Sequence, residues 1–141
     1  MNHIMVTIPE NVLDLLERPI IASLSTIAPD GIPENTAVWA YWDGEHVLIS
    51  TSDGRRKPDN IRNNPNVALF VLDPRDGQRW IDIRGVVEEL LPDDDYQVIN
   101  SLSKLYMGVD EFYGDVVPIE QKGTEKRLVI KIKPVRIASR G

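Results

Sequence analysis

The residues most able to do chemistry are Arg55, Arg56 and Lys57, with Arg62 shortly after, in a chain whose formal net charge is −6. They fall in SDGRRKPDNIRNNP, between the end of a β-rich run and the start of a short helix. Guanidinium forks, an ammonium and free helix N–H groups gathered at such a junction make an anion site. Surface arginines are common in any soluble protein, so the triplet alone leaves a ligand grip and a solvated cluster both open. Trp39, Tyr41 and Trp80 form a second group. Their flat apolar faces could wall a planar cofactor, but aromatics in strands serve the core more often, and each is read as core before cofactor.

Other chemistries find no residues to carry them. The sequence contains no cysteine, so disulfides, thiolate metal sites and thiol nucleophiles are excluded together. It has neither G-x-G-x-x-G nor G-x-x-x-x-G-K-[ST], the two glycine-rich phosphate loops. The two histidines, His3 and His46, are far apart and outside any H-E-x-x-H helix, so no histidine metal site is expected, and no Ser-His-Asp triad is suggested. Asp93, Asp94 and Asp95 could meet a hard cation, but they follow Pro92 at the opening of a helix, where the dipole favours acids, and that reading is preferred. The run KGTEKR (122–127) reads as a solvated loop of mixed charge. An acidic chain is a poor nucleic-acid ligand, since phosphate neutralisation needs a basic surface.

The elements that position these residues follow from pattern and punctuation. With 141 residues, 42% hydrophobic and 27% charged, the chain fits one ordinary globular domain spanning 1–141. Its start lacks a basic region leading into an apolar run, and no stretch approaches a membrane span, so a soluble cytoplasmic protein is expected. A first helix is expected from a Thr7–Glu10 capping box, with Pro9 in its first turn, an apolar stripe of Val12, Leu13, Leu15 and Leu16, and a stop at Pro19. Strands follow at 20–27, 34–42 and 46–51, separated by Pro29-Asp30-Gly31 and Asp43-Gly44 turns. Pro58 and Pro65 bracket a short helix after the basic triplet, and strands resume at 66–72 and 78–91, where Gly85 marks a bulge or bend. A helix runs from Pro92 to about Tyr106, residues 107–126 are unreadable, and a last strand at 127–138 alternates apolar and basic residues. About six strands with connections too short for βαβ crossovers predict a mainly β fold, an antiparallel barrel with peripheral helices.

At this point the run IIASLSTIAPDGIPENTAVWAYWDGEHVLISTSDGRRKPDNIRNNPNVALFV, followed by WIDIRGVVEEL, becomes informative as a whole. It resembles the pyridoxamine 5′-phosphate oxidase-like family of six-stranded split β-barrels of the FMN-binding type, above all its small coenzyme F-420-dependent oxidoreductases. A D-G-x-P turn feeding an x-V-W strand is moderately specific. R-R-K-P-D-N-I-R-N-N-P fits the family's R-x-K-x-x-N-[IL]-x-x-x-P pattern closely, while the region after Asp93 matches only in layout.

The resemblance implies a cofactor ring at a homodimer interface, against the strand holding Ala37, Val38 and Trp39 and the strand end holding Ile49, Ser50 and Thr51. It implies that Arg55, Arg56 and Lys57 grip the cofactor phosphate, that Asn60 lies in the first turn beyond, and that Gln78 and Trp80 belong to a strand completing the partner's site. The implied activity is hydride transfer between coenzyme F-420 and a small organic substrate, with no catalytic residue assigned. Two adjacent arginines before Lys57, with Arg62 beyond, favour F-420 over FMN because its tail adds carboxylates to the phosphate. The alternatives are an FMN-dependent oxidase relative, a non-enzymatic flavin carrier, and an interaction module that uses the triplet on an acidic protein. Pyridoxamine phosphate oxidation itself is disfavoured, because no C-terminal substrate motif is found.

Overall fold

Two turns decide the start of the sheet. Asp30 accepts the Ile32 amide at 2.9 Å while Gly31 takes φ 85°, which joins β1 (Ala22–Ile27) to β2 (Pro33–Val38) as an antiparallel pair. Asp43 accepts the amides of Glu45 at 2.8 Å and His46 at 2.6 Å, with Gly44 at φ 101°, and joins β3 (Ala40–Trp42) to β4 (Val47–Ser52). The structure, a computed structural model, describes residues 6–141, so His3 lies outside the described residues.

The expected strand at 34–42 is divided at Trp39. Its first half pairs with β1 and its second half with β4, so seven strands form where six were expected. With β5 (Asn66–Leu72), β6 (Trp80–Pro92) and β7 (Arg127–Arg140), they make one antiparallel sheet in the order β2-β1-β5-β6-β7-β4-β3. β2 and β3 are the two edges of this sheet, yet only Trp39 separates them along the chain. The sheet must therefore curl until its edges meet at Trp39. They continue one another and do not pair, so among the described residues no hydrogen-bond ladder closes the expected six-stranded barrel.

Alternation along the strands fills the inside of the curl. Leu24 of β1, Ile49 of β4, Leu69 of β5, Ile81 and Ile83 of β6, and Ile130 and Ile132 of β7 are all essentially inaccessible. Gly85 sits at a register shift between β6 and β7, and a Cβ there would lie 2.5 Å from Ile132 Cγ2 and 2.8 Å from the Lys133 carbonyl oxygen. The bulge expected at Gly85 is thus a close backbone approach that only glycine allows. β7 does not alternate at its start, where Arg127, Leu128, Val129 and Ile130 are all buried.

The helices cap the curl. At the N-terminal end a 3₁₀ turn (Glu10–Val12) leads into α1 (Asp14–Glu17), and Val12, Leu15 and Leu16 are buried on the core. The Thr7 capping box does not form: Pro9 occupies the N-cap and no side chain caps it. The segment is held instead by Arg79, which reaches Asp14 at 2.5 Å and Asp73 at 2.8 Å. α2 (Arg56–Asn63) follows β4, and α3 (Gln97–Met107) follows β6. Asp93 accepts the amides of Val98 at 3.2 Å and Ile99 at 3.0 Å, so this aspartate serves the helix start. Among the described residues no helix is long and apolar enough to cross a membrane.

Candidate functional site

The junction between β4 and α2 is built to leave cations and amides available. Gly54 takes φ 86° to turn the chain out of β4, Arg55 is an extended N-cap, and no side chain caps the helix. Arg55 is fixed by donating from Nε to Ser52 Oγ at 2.9 Å. Arg56 is exposed and reaches Glu34 at 2.9 Å. Lys57 is half-buried, and burial, followed by the charges of Arg55 and Arg127, holds its ammonium below the ordinary lysine pKa. Asn60 is buried and donates from Nδ2 to Thr26 Oγ1 at 3.1 Å and Glu34 Oε1 at 3.2 Å. Arg62 differs from expectation: Asp53 at 2.9 Å and Asp59 at 3.2 Å already match its charge.

Two clefts meet at Lys57. One, of about 390 Å³, the polar cleft by the residues that border it, lies between β2 and the start of α2, with Thr26, Glu34, Thr36, Arg55, Arg56 and Asn60 around it. The other, of about 320 Å³, has Ala37, Val38 and Trp39 on one side and Ser50 on another. Ile21, Ile99, Leu102 and Phe112 complete its apolar walls, and Arg127 enters beside Lys57. A third hollow, of about 360 Å³, opens along the outside of β2 past Thr36 and Ala37 to Ile21, Phe70 and Leu72.

Most residues singled out from sequence converge here. Ala37, Val38, Trp39, Ser50 and Lys57 share the apolar cleft, while Arg55, Arg56, Lys57 and Asn60 share the polar one. Ile49 and Thr51 flank Ser50 on the opposite face of β4 and are buried, Ile49 within the core. Gln78 lies in the turn before β6, its amide bonded to Asp76 at 3.0 Å, and lines none of these clefts. Trp80 reaches the third hollow only through Phe70, with ring centroids 5.8 Å apart. Tyr41 packs on β3 near Trp42, away from the two clefts that meet at Lys57.

Three contributors were not singled out from sequence. Tyr106 stacks on Trp39 at 5.3 Å and 12°, and its hydroxyl accepts the Ala40 amide at 3.0 Å and lies 2.9 Å from the carbonyls of Ile20 and Ala40. That hydroxyl therefore holds the chain where β2 passes into β3. Phe112 comes from the unreadable stretch, placed by its amide bond to Asn100 at 2.8 Å. Arg127, first residue of β7, pairs with Ser52 of β4 and donates to Ser50 Oγ at 2.8 Å and Glu125 at 3.1 Å, with Phe112 against its guanidinium at 5.2 Å. The expected solvated loop thus ends in a buried cation.

Two buried polar atoms at these clefts have no partner, Arg127 Nε and Thr36 Oγ1. Each such group costs about 1–3 kcal/mol where it stands. Lys57, disfavoured as a cation by burial and then by the charges of Arg55 and Arg127, would gain from an anion.

Over residues 8–141 the chain matches the family model described as pyridoxamine 5′-phosphate oxidase. The chain belongs to the pyridoxamine 5′-phosphate oxidase family. Among similar solved structures is an F420 reductase, 34% identical, with 93% of this chain and 98% of that one covered and a TM-score of 0.80. The conserved hypothetical protein Rv2991 from Mycobacterium tuberculosis is 27% identical over 96% of this chain and 86% of its own, at a TM-score of 0.72. General Stress Protein 26 from Bacillus anthracis, 18% identical over 93% of this chain and 92% of its own at a TM-score of 0.67, shares the fold. In this member of the pyridoxamine 5′-phosphate oxidase family, the elements matched include the β4–α2 junction and both of its clefts.

Proposed function

We propose that the protein is an oxidoreductase that binds a phosphorylated deazaflavin, coenzyme F-420, and moves a hydride between it and a small organic substrate. The carrying observation is that Lys57 lines both a polar, cation-rich cleft and a flat-walled apolar one, the arrangement an anionic tail joined to a planar ring requires. The similar F420 reductase supports the choice of cofactor. Arg55, Arg56, Lys57 and the uncapped amides of α2 would hold the phosphate, and Thr36 and Asn60 the polar chain beyond it. Trp39, backed by Tyr106, with Val38 and Ala37 would wall the ring. When bound, the cofactor supplies the hydride chemistry, and the protein positions it and excludes water. No acid or base is assigned: the hydroxyl of Tyr106 is spent on the backbone, and that of Tyr113 on Glu125 at 2.7 Å, its pKa pushed up to about 12 by burial and that bond.

A homodimer belongs to this reading. Ile21, Phe70 and Leu72 are exposed beside the third hollow, next to Trp80, and a second copy covering them would bring Gln78 and Trp80 to the partner's site. Light scattering should find a dimer, and a monomer that binds cofactor at full affinity would refute it.

Isothermal titration with F-420 and FMN at two salt concentrations tests the cofactor. Lys57→Ala and Arg55→Ala should each weaken F-420 binding by about 1.5–3 kcal/mol with the fold intact. Salt should weaken F-420 more steeply than FMN, since its tail adds ion pairs to be screened. Tighter FMN binding at both concentrations with equal slopes would transfer the assignment to FMN. Binding without turnover of the reduced cofactor would make the protein a carrier, and no affinity for either would leave the triplet to an acidic partner.

A further inference from the structure

The cofactor reading leaves Arg127 unused. It is 7% exposed, and although its two terminal nitrogens are bonded to Ser50 and Glu125, its Nε has no partner. Glu125 is a divided counter-ion, because it also accepts the Tyr113 hydroxyl at 2.7 Å. The other charged groups acting here, Lys57 and Arg55, are cations, and Lys57 registers the charge of Arg127 as a repulsion. Among the described residues Arg127 thus has Glu125 as its one paired carboxylate, shared with Tyr113, while Lys57 lies near enough to register the charges of both Arg55 and Arg127.

The placement of Arg127 separates it from the phosphate grip. Arg55 and Arg56 line only the polar cleft, Arg127 lines only the apolar one, and Lys57 lines both. Around Arg127 the walls are Trp39, Ile99, Leu102 and Phe112, the last lying against the guanidinium. A compact anion such as phosphate would lose its hydration in such a cavity with few donors in exchange. A charge spread over a flat ring loses less, keeps dispersion contacts with the walls and turns only its polar edge to the cations.

We propose that Arg127 forms a second anion subsite, across Lys57 from Arg55 and Arg56, which holds the ionised polar edge of a flat heteroaromatic ring. The inference rests on the cofactor reading and sharpens it: a deazaflavin whose ring hydroxyl ionises is such a ligand, and the protein should select its ionised form.

The probe is 8-hydroxy-5-deazaflavin without phosphate or glutamates, followed by absorbance across pH with and without the full-length protein. Bound ring should ionise roughly one pH unit lower than free ring. Arg127→Gln should abolish that displacement and weaken the ionised ring about tenfold, leaving the neutral ring unaffected. Arg62→Gln, which removes an exposed cation already matched by Asp53 and Asp59, should behave as wild type. An unchanged ionisation in wild type, or a displacement that survives in Arg127→Gln, overturns the proposal.

Should Arg127→Gln fail to melt cooperatively, the wild-type protein with ¹⁵N-labelled arginine decides. The Arg127 Nε–H signal must move on adding ring above its ionisation pH and stay still below it; a signal unmoved in both overturns the proposal. F-420 titrated in parallel separates the two levels. F-420 binding with an unperturbed ring overturns this inference and spares the cofactor reading, whereas no binding of F-420 or FMN removes both.

Discussion

Replacing Tyr106 by Phe tests how the fold presents the wall of the site. One oxygen is deleted, and the ring that stacks on Trp39 at 5.3 Å is kept. That oxygen accepts the Ala40 amide at 3.0 Å and donates toward the Ile20 and Ala40 carbonyls, each 2.9 Å away. Ala40 is 5% exposed, so its amide would lose its partner without gaining water. A buried unpaired donor costs about 1–3 kcal/mol and a net hydrogen bond about 0.5–1.5, which places the expected loss at about 2–3 kcal/mol. In a chain of this size that is a fall in Tm of roughly 6–10 °C. Calorimetry and urea unfolding measure it. Because the same hydroxyl fixes the step from β2 to β3 at Trp39, F-420 affinity should fall severalfold as well, while Tyr106→Leu, lacking the stack too, loses more of both. Stability within about 0.5 kcal/mol of wild type would refute the claim that this hydroxyl holds the strand break.

Lys57 gives a pH prediction. Its folded pKa is depressed, so between the folded and unfolded values the unfolded chain holds a proton the fold has shed, and stability from this group rises with pH. Lys57→Met should remove that alkaline contribution, read as wild type minus variant in urea unfolding, because the raised hydroxyls of Tyr106 and Tyr113 act oppositely in both proteins. Identical pH slopes would count against it. Gly85→Ala places a methyl 2.8 Å from the Lys133 carbonyl, which cannot yield as a side chain would, and should cost about 1–3 kcal/mol in denaturant unfolding; a neutral result would mean the bulge relaxes freely. Asp93→Ala should cost about 1–2 kcal/mol in the same assay, with Asp93→Asn retaining part, and an unaffected alanine variant would deny the capping role.

The fold was legible wherever its cause is local. Asp30-Gly31 and Asp43-Gly44 each act within a few residues, and each is where the structure turns; Gly85 shows itself by residue type alone, though what it makes room for is the distant Ile132 and Lys133. The break at Trp39 is different. ENTAVWAYW alternates well enough to be one strand, and what divides it is that its halves find different partners, β1 and β4, while a tyrosine 66 residues away holds the junction. The absent Thr7 box has a similar origin: Arg79 binds Asp14 and Asp73 and holds the segment from outside.

The site divides on the same line, and charge shows why. Arg55, Arg56 and Lys57 were visible because they are contiguous against an acidic background. Arg62, equally visible, is the cation least free to bind, since the carboxylates that match it sit at Asp53 and Asp59, nine and three residues back. Arg127 was read as part of a solvated run, yet the register of β7 on β4 sets it opposite Ser52, where Ser50, Glu125 and Phe112 surround it. A sequence therefore shows where cations are, while strand register decides which of them are buried and which are already neutralised. In this protein the difference between Arg62 and Arg127 is the difference between a surface ion pair and a buried cation lining a cleft, and the pairing of β4 with β7 is what sets Arg127 there.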